Sequence, residues 1–329
     1  MPSRRLQVWK ACVICKEMTT EFNYQVYSCN KCKMVFRRVF RLSVPLEPCN
    51  CNQRRIQECR NCRFYSCING GMQINSIKKY REKLSLIDSL IAMDNKRNST
   101  FFKYQMTEDL NLDQIMSPGA IKEKNEHVIF TSHDWVLMEI YTTIEFMKGF
   151  DLVNLLSSRD LKIFIKNAYF KCAIYFIAVR SYSNNLSFMT FPEKVDVFPE
   201  EILNVPQYSQ LLLNKIRCRL ISKFIEYRVT KEELLLLVSI IFCDQTDPDF
   251  SMPAKNIISQ YQKIYASALF QYCELKYQQP VPARFAELIS ISAVLVDTIT
   301  DLDTVVSLFN LYQPNLKLRQ LVKDSFPQS

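Results

Sequence analysis

From His127 onward the chain repeats one pattern, apolar residues at i, i+3, i+4 and i+7 with polar and charged residues between them. That period collects the apolar side chains on one face of an α-helix. It is clearest over residues 135–147, 161–182, 211–228, 231–242, 257–277 and 283–300. Thr230-Lys231-Glu232-Glu233 reads as a capping box that opens the 234–243 run, the longest nearly unbroken apolar stretch. Several of these segments are apolar over most of their surface and should be buried on two sides. The expectation is a layered all-α domain over residues 127–329, not a simple bundle. Glycine supports this, since the chain has four and only Gly149 lies beyond residue 119.

Ahead of that body the pattern breaks. Residues 95–125 contain Asn98-Ser99-Thr100, Ser117-Pro118-Gly119 and scattered charges, the composition of a mobile linker. A hinge over 76–126 is expected, with the amphipathic, mixed-charge stretch 74–89 extending the front of the chain as a helix. The front has its own periodicity. Lys33, Arg37, Arg38 and Arg41 recur at near-helical spacing, with Val35, Phe36, Val39 and Phe40 between them. Phe64, Tyr65 and Ile68 are also helically spaced and would pack against Phe36 and Phe40, with Gly70-Gly71 ending that helix.

Cysteine changes the picture most. Cys12-Val13-Ile14-Cys15 and Cys29-Asn30-Lys31-Cys32 form two Cys-x-x-Cys knuckles, which can surround one Zn²⁺ with four thiolates at about 2.3 Å each. A third knuckle, Cys59-Arg60-Asn61-Cys62, needs two upstream partners, and Cys49 and Cys51 are the available thiols. A second Zn²⁺ is therefore expected. Nine of the thirteen cysteines precede residue 70; the later four (Cys172, Cys218, Cys243, Cys273) sit on apolar stretches and read as core. Charge divides the same way. The chain carries +9, and residues 1–72 alone hold 13 Lys/Arg against 4 Asp/Glu, so the body is neutral. A zinc-pinned helix with one basic and one apolar face is suited to a DNA groove, and a concentrated positive field implies salt-sensitive phosphate contacts. Residues 1–10 are short, basic and without an apolar core, and the 234–243 run is too short to cross a bilayer. An intracellular, soluble chain with no membrane partner is expected.

Residues 22–38, Phe-Asn-Tyr-Gln-Val-Tyr-Ser-Cys-Asn-Lys-Cys-Lys-Met-Val-Phe-Arg-Arg, resemble the first zinc module of nuclear hormone receptors. Cys59-Arg60-Asn61-Cys62-Arg63-Phe64-Tyr65-Ser66-Cys67-Ile68 through Gly71-Met72 resembles the end of their second module, and the divergent character is similar to nematode receptors. The resemblance covers residues 12–72. It implies a DNA-binding domain over 9–75, a small zinc-stabilised α module with two four-cysteine zinc sites. A recognition helix near 30–41 and a second helix near 60–70 crossing behind it are also implied. By the same resemblance Lys33 and Arg38 reach base edges or phosphates while Tyr24, Arg37, Arg60 and Arg63 hold the backbone. Asn30 and Lys31 stand where the family usually has Glu-Gly, and Met34 where a small residue is usual, so the half-site preference does not carry over. Asn30 suits a bidentate contact with adenine, and Lys31 suits guanine or phosphate. In the second module the family usually spaces the first two ligands by five or more residues, whereas only Asn50 separates Cys49 from Cys51. In an alternative alignment Cys49 is the second ligand and Ser43 takes the place of the first. Either way the loop that carries the DNA-bound dimer contact is shortened or distorted, and monomeric or weak DNA binding is expected.

The body resembles the receptors' ligand-binding domain through Phe146-Met147-Lys148, Val153, Leu156, Asp160-Leu161 and Phe164-Ile165, and through Arg284-Phe285 with Leu288. By that resemblance Lys148 would cap a short coactivator or corepressor helix, where the macrodipole favours a cation. Its acidic counterpart would be Asp324 in Leu321-Val322-Lys323-Asp324-Ser325-Phe326, where Asp replaces Glu and Ser an apolar residue. That weakens the activation helix and leaves constitutive or repressive behaviour open. Met138, Phe146, Phe176, Ile177, Phe270 and Tyr272 either line a cavity for a small lipophilic ligand or simply fill the core. Enzymatic function is not expected. The two histidines, His127 and His133, lie away from the cysteines, eight thiolates would close both metal sites, and no Gly-rich phosphate loop is present. The expected protein is a nuclear, zinc-dependent, sequence-specific DNA-binding transcription factor, for which the resemblance also allows a receptor dimer partner. The alternative is a receptor-like interaction protein whose zinc module has lost specific DNA binding.

Overall fold

The computed structural model describes residues 9–42, 51, 59–73, 81–116, 121–125, 127–203, 205, 209–277, 281–313 and 319–324. They divide into two compact units, one of residues 1–83, 150–163 and 243–264, the other of residues 84–149, 164–242 and 265–329.

The first unit opens with two short antiparallel pairs, β1 (Lys10–Ala11) with β2 (Met18–Thr19) and β3 (Phe22–Asn23) with β4 (Val26–Tyr27). Asn23 faces Val26, so Tyr24 and Gln25 form a two-residue hairpin turn, and both take positive φ (53° and 76°). This is the primed turn whose twist matches the strands, here built without glycine. Helix α1 (Asn30–Leu42) follows, and α2 (Arg60–Asn69) packs against it. Phe36 and Phe64 stack with ring centroids 6.2 Å apart, and Tyr24 lies 4.8 Å from Phe36. Val39, Cys67, Ile68 and Met72 complete a small core. The end of α2 is a Schellman motif, in which Met72 N–H donates to Cys67 O and Gly71 N–H to Ile68 O, with Gly71 at φ 85°. The expected packing of Phe64 on Phe36 is present, while the Phe40 side chain lies outside the described residues. Elsewhere in this unit the buried Asp160 carboxylate accepts bonds from Ser251 N–H and Oγ, both at 2.9 Å, and from Ser157 Oγ.

The second unit is helical: α3 (Arg81–Lys103), α4 (Leu112–Ile115), α5 (Ser132–Lys148), α6 (Ser158–Ser183), α7 (Glu200–Leu203), α8 (Gln210–Glu226), α9 (Lys231–Phe242), α10 (Met252–Lys276), α11 (Val281–Tyr312) and α12 (Gln320–Lys323), less the stretches assigned above. The six strongest periodic segments all become helices. The capping box at Thr230 is formed, its N–H donating to Glu233 Oε2 at 2.9 Å and its Oγ1 accepting Glu233 N–H at 3.4 Å. Every residue of α9 from Glu233 to Ile240 is buried, so this helix forms an inner layer. Phe146 of α5 meets Phe176 of α6 and Phe242 of α9 edge-on, and Tyr175 Oη donates to Leu234 O at 3.0 Å. Helix α8 packs on α11.

The linker expectation over 95–125 fails where residues are described. Helix α3 runs through Lys103, burying Leu90, Asp94, Arg97 and Phe101 in the second unit, and a short pair, β5 (Tyr104–Gln105) with β6 (Lys122–Glu123), follows. Glu139 of α5 explains why charged residues can sit there. Its fully buried carboxylate is shared by Arg97 and Arg180, and Arg97 also bonds Asp94. No helix among the described residues is long and apolar enough to cross a membrane.

Candidate nucleic-acid interface

The β1–β2 and β3–β4 turns and the start of α1 bring four cysteines together. The sulfurs of Cys12, Cys15, Cys29 and Cys32 all lie within 4.8 Å of one another. Tetrahedral coordination at about 2.3 Å requires sulfurs roughly 3.8 Å apart, so the cluster has the size and donor chemistry of a structural Zn²⁺ site. Lys16 N–H donates to Cys12 O and Lys33 N–H to Cys29 O, so each knuckle's backbone folds around its thiols. Burial pushes the Cys15 and Cys29 thiols up, and Cys67 together with burial does the same to Cys32. At Cys12 burial also acts upward, but backbone N–H groups of Cys15, Cys29 and Ile14 outweigh it and bring the thiol down to about 7. Crowded thiols of this kind require a cation to ionise together.

Cys51, Cys59 and Cys62 form a second cluster within 4.8 Å, with Cys59 at the N-cap of α2. Three thiols and a fourth from elsewhere fit a second Zn²⁺. The expected fourth ligand, Cys49, lies outside the described residues, as does Ser43.

Anchored at Cys29 and Cys32, α1 carries the groups expected to meet DNA. Asn30, Lys31 and Arg38 are exposed, and Lys33 and Arg37 are half-buried. On α2 Arg60 is exposed and Arg63 half-buried, one residue past the Cys62 thiol. Tyr24 is half-buried with its ring on Phe36, so its first task is packing. Two acidic residues that the sequence reading passed over face this surface. Glu17 pairs with Lys31 at 2.9 Å, and the ammonium holds its carboxyl below the usual carboxylate range. Glu21 accepts from Asn30 Nδ2 at 2.8 Å and lies 3.5 Å from Lys33 Nζ. Neither shares a helix with the group it contacts, so no local spacing could have revealed them. His133 sits 3.4 Å from Glu201 and takes no part.

A double treble clef zinc finger of C4 type matches residues 10–74, and the ligand-binding domain of nuclear hormone receptors matches residues 120–311, more than half of the chain. The chain belongs to the nuclear hormone receptor family. The Caenorhabditis elegans nuclear hormone receptor family member nhr-27 is 36% identical over 323 residues, covering 95% of this chain and 91% of the relative. Member nhr-167 of the same organism is 35% identical over 328 residues, covering 95% of this chain and 96% of its own length. The receptor is thus a C4 zinc-finger module joined to a predominantly helical ligand-binding domain, with cysteine clusters for two Zn²⁺ ions, and no catalytic family is indicated.

Within the receptor's helical domain, Lys148 Nζ reaches Glu145 at 2.7 Å and Met116 O at 3.5 Å. Asp324 follows α12, where its Oδ1 accepts Gln320 Nε2 at 2.6 Å. Neither of these contacts joins Lys148 to Asp324. An apolar cavity of about 90 Å³ is lined by Val136, Phe170, Ile174, Ile177, Met189 and Val322 among others. Pockets that enclose a drug-sized ligand run to roughly 300–1,000 Å³. A second, more polar cavity of about 340 Å³ lies against α3 and α5 and is lined by Lys96, Tyr141 and Phe146. Of the six expected lining residues, Ile177 and Phe146 reach a cavity. Met138 and Phe176 are fully buried core, Phe270 packs on Phe285, and Tyr272 Oη donates to Glu232 at 2.9 Å.

Proposed function

We propose that this receptor is a sequence-specific, double-stranded-DNA-binding transcription factor of the nucleus, with its zinc module (residues 9–75) laying α1 in the major groove. The observation that carries this reading is the exposed basic start of α1, fixed by four mutually close thiols. Asn30, Lys31 and Lys33 meet base edges, Arg38 meets bases or phosphates, and Arg37, Arg60, Arg63 and Tyr24 follow the backbone. Cys49 completes the second zinc site. Binding is monomeric or weakly cooperative, because the loop between Cys49 and Cys51 is one residue long.

The helical domain (residues 127–329, extended on its N-terminal side by α3) regulates through a coactivator or corepressor helix at Lys148 or through a receptor partner. The apolar cavity of about 90 Å³ is too small for a bulky lipophilic ligand, and the more polar one of about 340 Å³ suits a small ligand with polar groups. The test is selection of a random DNA library by the full chain at physiological salt, with zinc counted by mass spectrometry. Two zincs and an enriched motif are expected. Salt-dependent but sequence-blind binding would overturn the reading in favour of an interaction protein acting through dimerisation or cofactors.

A further inference from the structure

Glu21 has a position that a surface carboxylate rarely has by accident. Its backbone is fixed on both sides, the N–H donating to Thr19 Oγ1 at 3.1 Å and the carbonyl accepting Ser28 N–H at 3.1 Å. Its side chain is steadied by Asn23, whose Nδ2 donates to Glu21 Oε2 at 3.2 Å and to Ser28 O at 2.9 Å. So held, Oε1 accepts an N–H of Asn30 at 2.8 Å while Oε2 lies 3.5 Å from the Lys33 ammonium. One carboxylate from the β2–β3 connection thereby engages two side chains in the first turn of α1.

The chemistry of Asn30 gives this contact a consequence. A side-chain amide has two N–H donors and one carbonyl acceptor. Bidentate pairing with adenine uses the carbonyl and one N–H. The other N–H is the one an outside acceptor can take, and taking it decides which way the amide faces. Glu21 supplies that acceptor and confines Lys33 beside it. Its negative charge also lowers attraction to phosphates at the same place. The carboxylate therefore trades non-specific affinity for discrimination.

We infer that Glu21 is a positioning residue for base readout, setting sequence preference through Asn30 and Lys33 without itself being required for binding. This rests on the DNA-binding reading above. The experiment uses the full chain as wild type, E21A, E21Q, N30A and the E21A/N30A pair, each with zinc counted, against the motif selected by wild type and its single-base variants. N30A identifies the base position that Asn30 reads. At that position E21A should lose about tenfold in discrimination, the scale of one bidentate contact. E21A should at the same time tighten binding to unrelated DNA a few-fold, by roughly the effect of one charge near the backbone. E21Q keeps an acceptor but no charge, so it should tighten non-specific binding and retain most of the discrimination. E21A/N30A should discriminate no worse than N30A. The inference is overturned if E21A discriminates as wild type does, if E21Q loses as much as E21A, or if the two substitutions act additively. A wild-type chain with two zincs and no motif removes the DNA-binding reading itself, and this inference with it.

Discussion

Substitution of Glu139 offers the sharpest test of how the helical domain is held together. This fully buried carboxylate bonds Arg97 of α3 at 2.8 Å and, through both oxygens, Arg180 of α6. Burial pulls the Arg97 guanidinium down, and Glu139 offsets that pull. Each guanidinium also lies against a ring, Arg97 3.9 Å from Phe176 and Arg180 3.6 Å from Phe101. In E139A the two cations would be left with Asp94 as their carboxylate, and Asp94 bonds only Arg97 of the pair. Removing one partner of a buried pair costs about 3–5 kcal/mol. Against a domain stability of about 5–15 kcal/mol, that is from a fifth to the whole of it. At about 2–4 °C per kcal/mol for a domain of this size, the midpoint should fall by roughly 10 °C. Trp135 is a built-in reporter, 1% exposed and stacked on Phe101 at 4.9 Å, whereas Trp9 is 62% exposed. In a Trp9→Phe background, urea unfolding followed by Trp135 fluorescence should show a lower midpoint with unchanged slope. E139Q keeps an acceptor and should lose less. A loss under about 1 kcal/mol in E139A would refute the account of α3 as a helix pinned by buried charge.

Other consequences can be checked directly. Cys32→Ser should lose one zinc by mass spectrometry and with it the ordered start of α1, since Lys33 N–H and Cys29 O join the helix to the cluster; retention of both zincs would exclude Cys32 as a ligand. Because burial pushes the Cys15 and Cys29 thiols up, and Cys67 with burial does the same to Cys32, these three are protonated at neutral pH without metal. Zinc uptake should then release on the order of three protons per ion at the first site, measured by dye in weak buffer, and acidification should expel the metal. Arg38→Ala should weaken binding to all DNA sequences alike and reduce the salt slope by about one; a change in preferred motif instead would make Arg38 a base reader. Lys148→Ala should change reporter transcription, downward if the groove takes a coactivator and upward if it takes a corepressor, and an unchanged signal would rule out the groove.

Much of this architecture was legible because its causes are local. Capping at Thr230, the Gly70-Gly71 stop and the apolar periodicity of α5, α6 and α8 through α11 all act within a few residues. The first cysteine cluster was legible because thiols at that spacing have few other uses. The run of α3 past residue 89 was not, because the charges that gave it the look of a linker are neutralised by Glu139, a residue of another helix that Arg180 shares. The choice between cavity lining and core was left open for the same reason, since periodicity tells which face of α10 is apolar but not that Phe270 packs on Phe285. Glu17 and Glu21 were invisible because two hairpins, not a helical repeat, carry them to α1.

Helix α12 is a single turn. Leu321 is fully buried, its carbonyl accepts Tyr169 Oη at 2.7 Å, and Gln320 N–H reaches Asp109 at 3.0 Å. Val322 and Arg319 border the cavity of about 90 Å³, so whatever fills that space meets the turn from below. A bound molecule, or a single methyl added by mutation, that distinguishes docked from undocked by about 1.4 kcal/mol would move the ratio tenfold. The C-terminal turn and the small cavity thus share a wall, and a change in what fills one is felt by the other.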